Sequence, residues 1–159
     1  MLRDPHMQLR TDYQPYMEAV AKFFDKALKI INRHQFTSDG PVIMLQIENE
    51  FGGRNARYLQ FLYNLVTTSG FKQQLFTSDP NGGGYPIRNI FPKNDVLETA
   101  NLNQNSYNSL KDLKEKQGHK PLYVSEFWPG WFDAWGERGH HTYSVQQFDH
   151  EISDILFKV

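Results

Sequence analysis

The stretch Gly40-Pro41-Val42-Ile43-Met44-Leu45-Gln46-Ile47-Glu48-Asn49-Glu50-Phe51-Gly52-Gly53 constrains this chain more than any other. A Gly-Pro turn signal opens it, a glycine pair closes it, and the apolar run between them has the length of a strand. Alternate residues of a strand point to opposite faces. Ile43, Leu45 and Ile47 share one parity and are wholly apolar; Met44, Gln46, Glu48 and Glu50 share the other, which grows more polar toward its end. One face is therefore expected to pack on apolar partners, while the other carries Gln46, Glu48 and Glu50 in a row. Carboxylates two residues apart on a strand lie about 7 Å from each other. Burying them costs free energy unless they are hydrogen-bonded or used. The bland alternative is a solvated edge strand with its acids in water, and the apolar density on either side weighs against it.

Composition narrows the classes. The chain has 159 residues, enough for one domain with a real core. Its net charge is −1 with Lys and Arg scattered, so no nucleic-acid partner and no acidic membrane surface is expected. It has no cysteine, which excludes thiol chemistry, a disulfide frame and cysteine-based zinc sites. No apolar run approaches the roughly 20 residues of a membrane span, and no Asn-x-Ser/Thr sequon or N-terminal signal core is present. The six histidines form no metal-ligand spacing, His140-His141 reads as a loop pair, and neither metal nor cofactor is expected.

Residues 1–10 carry turn signals only. Thr11 or Asp12 is expected to cap a helix reaching about His34, with Pro15 in its first turn, where a missing N–H is harmless. Its apolar stripe is Tyr16, Met17, Val20, Phe23, Phe24, Ala27, Leu28 and Ile31, read as ordinary core. The strand at about 41–50 follows. Asn55 then opens a helix with Tyr58, Leu62, Leu65 and Val66 inward and Gly70 as its stop. Residues 75–78 read as a short strand, residues 79–97 as a long turn-rich segment, and residues 98–103 as a weak strand. Ser106 is expected to cap a helix with Tyr107, Leu110 and Leu113 inward, ending at Gly118. Residues 121–126 form another strand, again ending on a carboxylate. Ser144-x-x-Gln147 is a capping box for a last helix with Val145, Phe148, Ile152, Ile155 and Leu156 inward. Alternating strands and helices imply parallel strands with right-handed crossovers. An open doubly wound sheet and a (β/α)8 barrel both satisfy this. The lack of a glycine-rich nucleotide loop weakens the first, and four readable strands fall short of the eight the second needs.

A barrel places its chemistry at the C-terminal strand ends, where Glu50 and Glu126 stand. Two carboxylates on one such face suit glycosidic cleavage, one protonating the leaving oxygen and the other stabilising or attacking the anomeric carbon. Phe127, Trp128, Trp131, Phe132 and Trp135 follow Glu126 within ten residues. Aromatic plates bind the apolar faces of sugars and also pack loops; most of these five are read as packing, one or two as touching substrate. Glu48 is read as structural, hydrogen-bonded inside the barrel.

The segment from Gly40 to Gly52 resembles the signature of glycoside hydrolase family 35, the β-galactosidases. Ser125-Glu126-Phe127-Trp128-Pro129-Gly130-Trp131-Phe132-Asp133-Ala134-Trp135-Gly136 resembles that family's second catalytic segment. The likeness extends to the leading helix and to Phe76-Thr77-Ser78-Asp79. It implies a β-galactoside substrate and a retaining mechanism. Glu50, at the end of the fourth barrel strand, would be the acid/base, and Glu126, at the end of the seventh, the nucleophile. Asn49 would hydrogen-bond the sugar 2-hydroxyl. Trp128 stands where members often carry Tyr, and its indole N–H can donate but not accept. Mapped on the family, residues 1–159 read as an incomplete catalytic barrel: an α/β partial (β/α)8 TIM barrel holding strands four to seven. A lysosomal or secreted location is the family expectation. The alternatives are an inactive fragment, a sugar-binding remnant, or a barrel glycosidase of different sugar specificity.

Overall fold

The computed structural model describes residues 3–53, 55–80, 91 and 95–157. Strands and helices alternate along it: α1 (Gln14–Ile31), a single 3-10 turn (Phe36–Ser38), β1 (Met44–Asn49), α2 (Ala56–Thr68), β2 (Gln74–Pro80), β3 (Val96–Leu102), α3 (Ser106–Gln117), β4 (Val124–Phe127) and α4 (Val145–Phe157). The strands form one parallel sheet in chain order, the α/β arrangement of part of a (β/α)8 barrel. The contacts gather in two units. The first holds the described residues up to Thr77 with residues 91 and 95–97; the second holds residues 78–80 and 98–157. Each is described by itself.

In the first unit, Pro15 sits in the opening turn of α1, and Tyr13 is the N-cap without a side-chain capping bond, its hydroxyl donating to Asp4 instead. The expected caps do other work. Thr11 Oγ1 accepts from the Tyr13 N–H at 3.2 Å, and Asp12 accepts from Asn55 Nδ2 at 2.8 Å, opposite Arg57. The buried core joins Leu28 of α1, Ile47 of β1, Phe51, and Tyr58, Leu59, Leu62 and Val66 of α2 to Phe71, Leu75, Phe91 and Val96. Tyr16, Val20, Phe24 and Ile31 pack against it. Phe23, expected inside, is 67% exposed. It lies about 100° round the helix from Phe24, and its ring meets only the edge of Phe24. On β1 the apolar parity is buried at Ile47 alone, and Ile43, before the strand starts, is 63% exposed. Asn55 caps α2 as expected, accepting from the Tyr58 N–H at 2.9 Å. Buried Gln35 stitches the exit of α1 to the end of α2: its Nε2 reaches Gly70 O, and its Oε1 accepts from the Lys72 N–H.

In the second unit, β3 and β4 run parallel with Ala100 opposite Val124 and Asn101 opposite Glu126. One step on β3 thus faces two on β4, and Ser125 is the extra residue of a bulge. Ala100, Leu102, Leu110 and Leu113 form the core, with Leu122, Val124, Phe127 and Ile155 against it. The expected Ser106 cap is replaced. Asn105 is the N-cap in left-handed backbone, and Glu151 of α4 accepts from the Asn105 and Ser106 N–H groups at 2.9 Å each. Tyr107 faces outward. The Ser144–Gln147 capping box forms in both directions, at 2.9 and 3.2 Å. The inward face of α4 differs from the expectation: Val145, Phe148 and Leu156 are exposed, and its buried residues are Glu151 and Asp154. β2 runs on to Pro80 and β3 starts at Val96, so both outrun the short strands expected. Most of the expected turn-rich segment lies outside the described residues.

Candidate active site

Asn49 and Glu50 belong to the first unit. Asn49 ends β1, and Glu50 follows in left-handed backbone with φ +48°. The alternation of the strand therefore stops one residue before Glu50, whose carbonyl accepts from the Gly52 N–H at 2.9 Å in a tight turn. Left-handed backbone costs a non-glycine residue roughly 1–2 kcal/mol. It persists where the surroundings over-determine it. Arg10 supplies that determination. Its guanidinium grips Glu48 through two bonds, at 2.9 and 2.8 Å, and donates to the Asn49 carbonyl at 2.6 Å. Glu48 also accepts from the Tyr58 hydroxyl at 3.0 Å and from the Asn49 N–H at 2.7 Å. Asn49 Oδ1 accepts from Gln46 Nε2 at 2.8 Å. The hydrogen bonding of Arg10 to the Glu48 carboxylate raises the guanidinium above its ordinary value, against a smaller opposing effect of burial. Burial, with hydrogen bonds to Tyr16 and Glu48, pushes the Tyr58 phenol far up. Glu48, only 10% exposed, is thus a clamp fixing the strand end to α2 and the N-terminal segment.

Glu126 and Trp128 belong to the second unit. The Ser125 bulge turns Ser125 Oγ onto a buried polar cluster and sets Glu126 level with Asn101. Ser125 Oγ lies 2.6 Å from Thr99 Oγ1, 2.7 Å from Ser78 Oγ, 3.1 Å from Asn101 Oδ1 and 3.3 Å from the Ala100 carbonyl. Ser78 Oγ makes a short hydrogen bond to Asn101 Oδ1 and stands 3.5 Å from Glu126 Oε1. Ser78, Thr99 and Asn101 are buried, and Glu126 is half-buried. Trp128 donates its backbone N–H to the Leu102 carbonyl at 3.1 Å, and its ring packs 4.7 Å from that of Trp131.

The segment after β4 folds back on itself. Gly130 pairs with Thr142, and the Trp131 N–H donates to the His141 carbonyl at 2.6 Å. Gly130 has φ +108°, and a Cβ there would collide with the His141 carbonyl, so this return admits glycine alone. His140 and His141 meet Asp133 and Glu137 at 2.5 and 2.9 Å. The Ala134 N–H first, and His141 second, hold the Glu137 carboxyl below its ordinary range. Of the five aromatics, Phe127 packs on Phe148 and Trp128, Trp131 and Phe132 pack in a row on one another, as expected of most of them, while Trp131, Phe132 and Trp135 keep exposed surface. Arg10, Ser78, Ser125 and Asn101 were missing from the sequence-based site. Each matters through a partner 24 or more residues away, which strand parity does not reveal.

The family described as Glycosyl hydrolases family 35 matches residues 1–158. The chain belongs to glycosyl hydrolases family 35. Human beta-galactosidase-1-like protein 3 is 34% identical over 158 residues, 98% of this chain and 23% of that protein. Human beta-galactosidase-1-like protein 2 is 36% identical over 140 residues, 86% of this chain and 21% of that protein. A bovine beta-galactosidase is 29% identical over 170 residues, covering 98% and 24%. This family 35 chain thus spans about a quarter of the length of the curated relatives it matches. Among its described residues no helix is long and apolar enough to cross a membrane.

Proposed function

We propose that the protein hydrolyses terminal β-D-galactosyl residues of glycosides by retaining double displacement, as part of a catalytic barrel to which this chain contributes strands four to seven. The observation that carries the reading is the position of its two glutamates. In a family 35 chain, Glu50 directly follows β1 and Glu126 lies in β4, at strand ends where barrel enzymes keep their chemistry. In this reading the Glu126 carboxylate attacks the anomeric carbon. The bond to the aglycone oxygen breaks, and the Glu50 carboxyl gives that oxygen its proton. Glu50, now a carboxylate, takes a proton from water, which attacks the same carbon and releases Glu126. Asn49, held by Gln46, would hydrogen-bond the sugar 2-hydroxyl, and Trp128 would flank the nucleophile. The names of the relatives favour galactose, and a lysosomal or secreted setting belongs to the same proposal.

The test is chemical rescue in the full-length protein. With Glu126→Gly, external azide is expected to restore turnover as the inverted galactosyl azide, because the anion fills the nucleophile's space. With Glu50→Gly, azide is expected to give the retained product. The reverse pattern would exchange the two roles, and no turnover of aryl β-galactosides by the wild type would remove the proposal.

A further inference from the structure

Ser78 has one hydroxyl proton and three acceptors for it: Asn101 Oδ1, Ser125 Oγ and Glu126 Oε1. Asn101 Oδ1 can instead take the proton of Ser125, which lies 3.1 Å away, while Thr99 donates to Ser125 from 2.6 Å. The cluster therefore has two complete proton arrangements. In one, Ser78 donates to Asn101 and leaves Glu126. In the other, Ser125 satisfies Asn101 and Ser78 turns to Glu126. Both are available because the bulge at Ser125 brings the β2 and β4 hydroxyls of Ser78 and Ser125 onto the same amide oxygen, with the β3 hydroxyl of Thr99 on Ser125. The Ser78–Glu126 separation of 3.5 Å, longer than an ordinary O–H···O bond, fits the first arrangement.

We propose that Ser78 is a positioning residue for Glu126, its proton turning to the carboxylate when Glu126 is charged and to Asn101 when Glu126 is not. A hydrogen bond to an ionised acceptor is about twice as strong as one between neutral groups, so the charge on Glu126 selects the arrangement. Its catalytic sense rests on the reading of Glu126 as nucleophile. The carboxylate then loses its charge when the glycosyl ester forms and regains it when the ester is cleaved. Ser78 would steady the attacking anion, let go as the ester forms, and return as the leaving carboxylate reappears. The rearrangement needs rotation of two hydroxyls and a small approach of the Ser78 and Glu126 oxygens from 3.5 Å. Other acids on the elements packed here are accounted for: Asp79 and Glu98 on β2 and β3 have partners of their own, Glu151 holds the start of α3, and Asp154 lies 3.6 Å from His150.

The test is carbon-13 carboxyl spectroscopy of the full-length protein with labelled glutamate, the Glu126 signal being assigned by its loss in Glu126→Gln. Ser78→Ala is expected to displace the Glu126 carboxyl signal of the free enzyme, and Ser78→Thr to return it to the wild-type position. Ser125→Ala forces Ser78 to satisfy Asn101 and is expected to displace the signal the same way by less; it decides the matter if Ser78→Ala does not fold. Signals of both alanine variants superimposed on the wild type would overturn the proposal. A displaced signal in a protein without galactosidase activity would refute the functional reading and leave the Ser78 assignment standing.

Discussion

Glu48 and Glu50 are two residues apart in sequence and wholly different in circumstance. Glu48 is fixed by Arg10, Tyr58 and its neighbour's N–H; Glu50 stands outside the strand on left-handed backbone. Glu48→Gln keeps the shape but breaks the forked grip. Because Arg10 is 44% exposed and can turn to water, the expected cost is about 1–2 kcal/mol in urea unfolding, not that of a fully buried pair. Glu48→Gln should also retain much more activity than Glu50→Gln. Glu50→Gly should behave oppositely, with activity lost and stability unchanged or raised by up to about 1 kcal/mol, since glycine accepts this backbone without strain. A clear loss of stability in Glu50→Gly would contradict the strain argument. The sequence singled out both acids by parity and read Glu48 as structural. It gave no sign of Arg10, which lies in a segment without periodicity, nor of the backbone reversal at Glu50.

Among the elements, helices that end on local signals were legible. The Asn55 cap and the Ser144–Gln147 box both formed where side chain and backbone lie within three residues. α3 lies where the sequence placed it, but its cap was misread, because the cap comes from Glu151, 45 residues beyond Ser106. The same contact explains the face of α4, where an acid is buried because it meets two N–H groups and not because the helix is apolar there. Ser144→Ala should therefore cost about 1 kcal/mol. Glu151→Ala, which takes the acceptor from the N–H groups of exposed Asn105 and buried Ser106, should cost about 2–3 kcal/mol; equal effects in thermal unfolding would contradict the assignment. A third element-level test concerns α2, whose Tyr63 donates to Asp95 at 2.5 Å just before β3. That bond, more than burial, pushes the phenol up to about 12. Ionisation is thus easier in the unfolded chain, at about 10. The stabilisation is complete below that pH and disappears as pH rises through about 12. Phenolate absorbance should show one tyrosine fewer titrating near pH 10 than in Tyr63→Phe plus one free tyrosine, and the Tyr63→Phe variant should lose less stability between pH 10 and 12 than the wild type.

For the molecule as a whole, the alternation of strands and helices was enough to read an α/β parallel sheet, because hydrophobic period changes visibly between elements, and the partial barrel came from the resemblance to family 35. The grouping of contacts was not legible. β2 changes units between Thr77 and Ser78 and β3 between Leu97 and Glu98, within strands whose apolar residues carry no mark of a boundary. Nor could spacing alone foretell that Trp135, Phe132, Val145 and Phe157 would be exposed. These side chains, the outer strands β1 and β4, and a net charge of −1 favour self-association of the 159 residues expressed alone. Light scattering should show species heavier than 18.6 kDa that grow with concentration, and a monomer at all concentrations would count against this. Glu151 has a further consequence, for how the second unit comes apart. Its two oxygens cover the amides of Asn105 and Ser106, so those amides can trade hydrogen for solvent deuterium only when α4 lifts away. Their exchange should keep pace with the amides in the middle of α4 and not with those of α3 beside them, making two protons at the start of one helix a clock for the release of another.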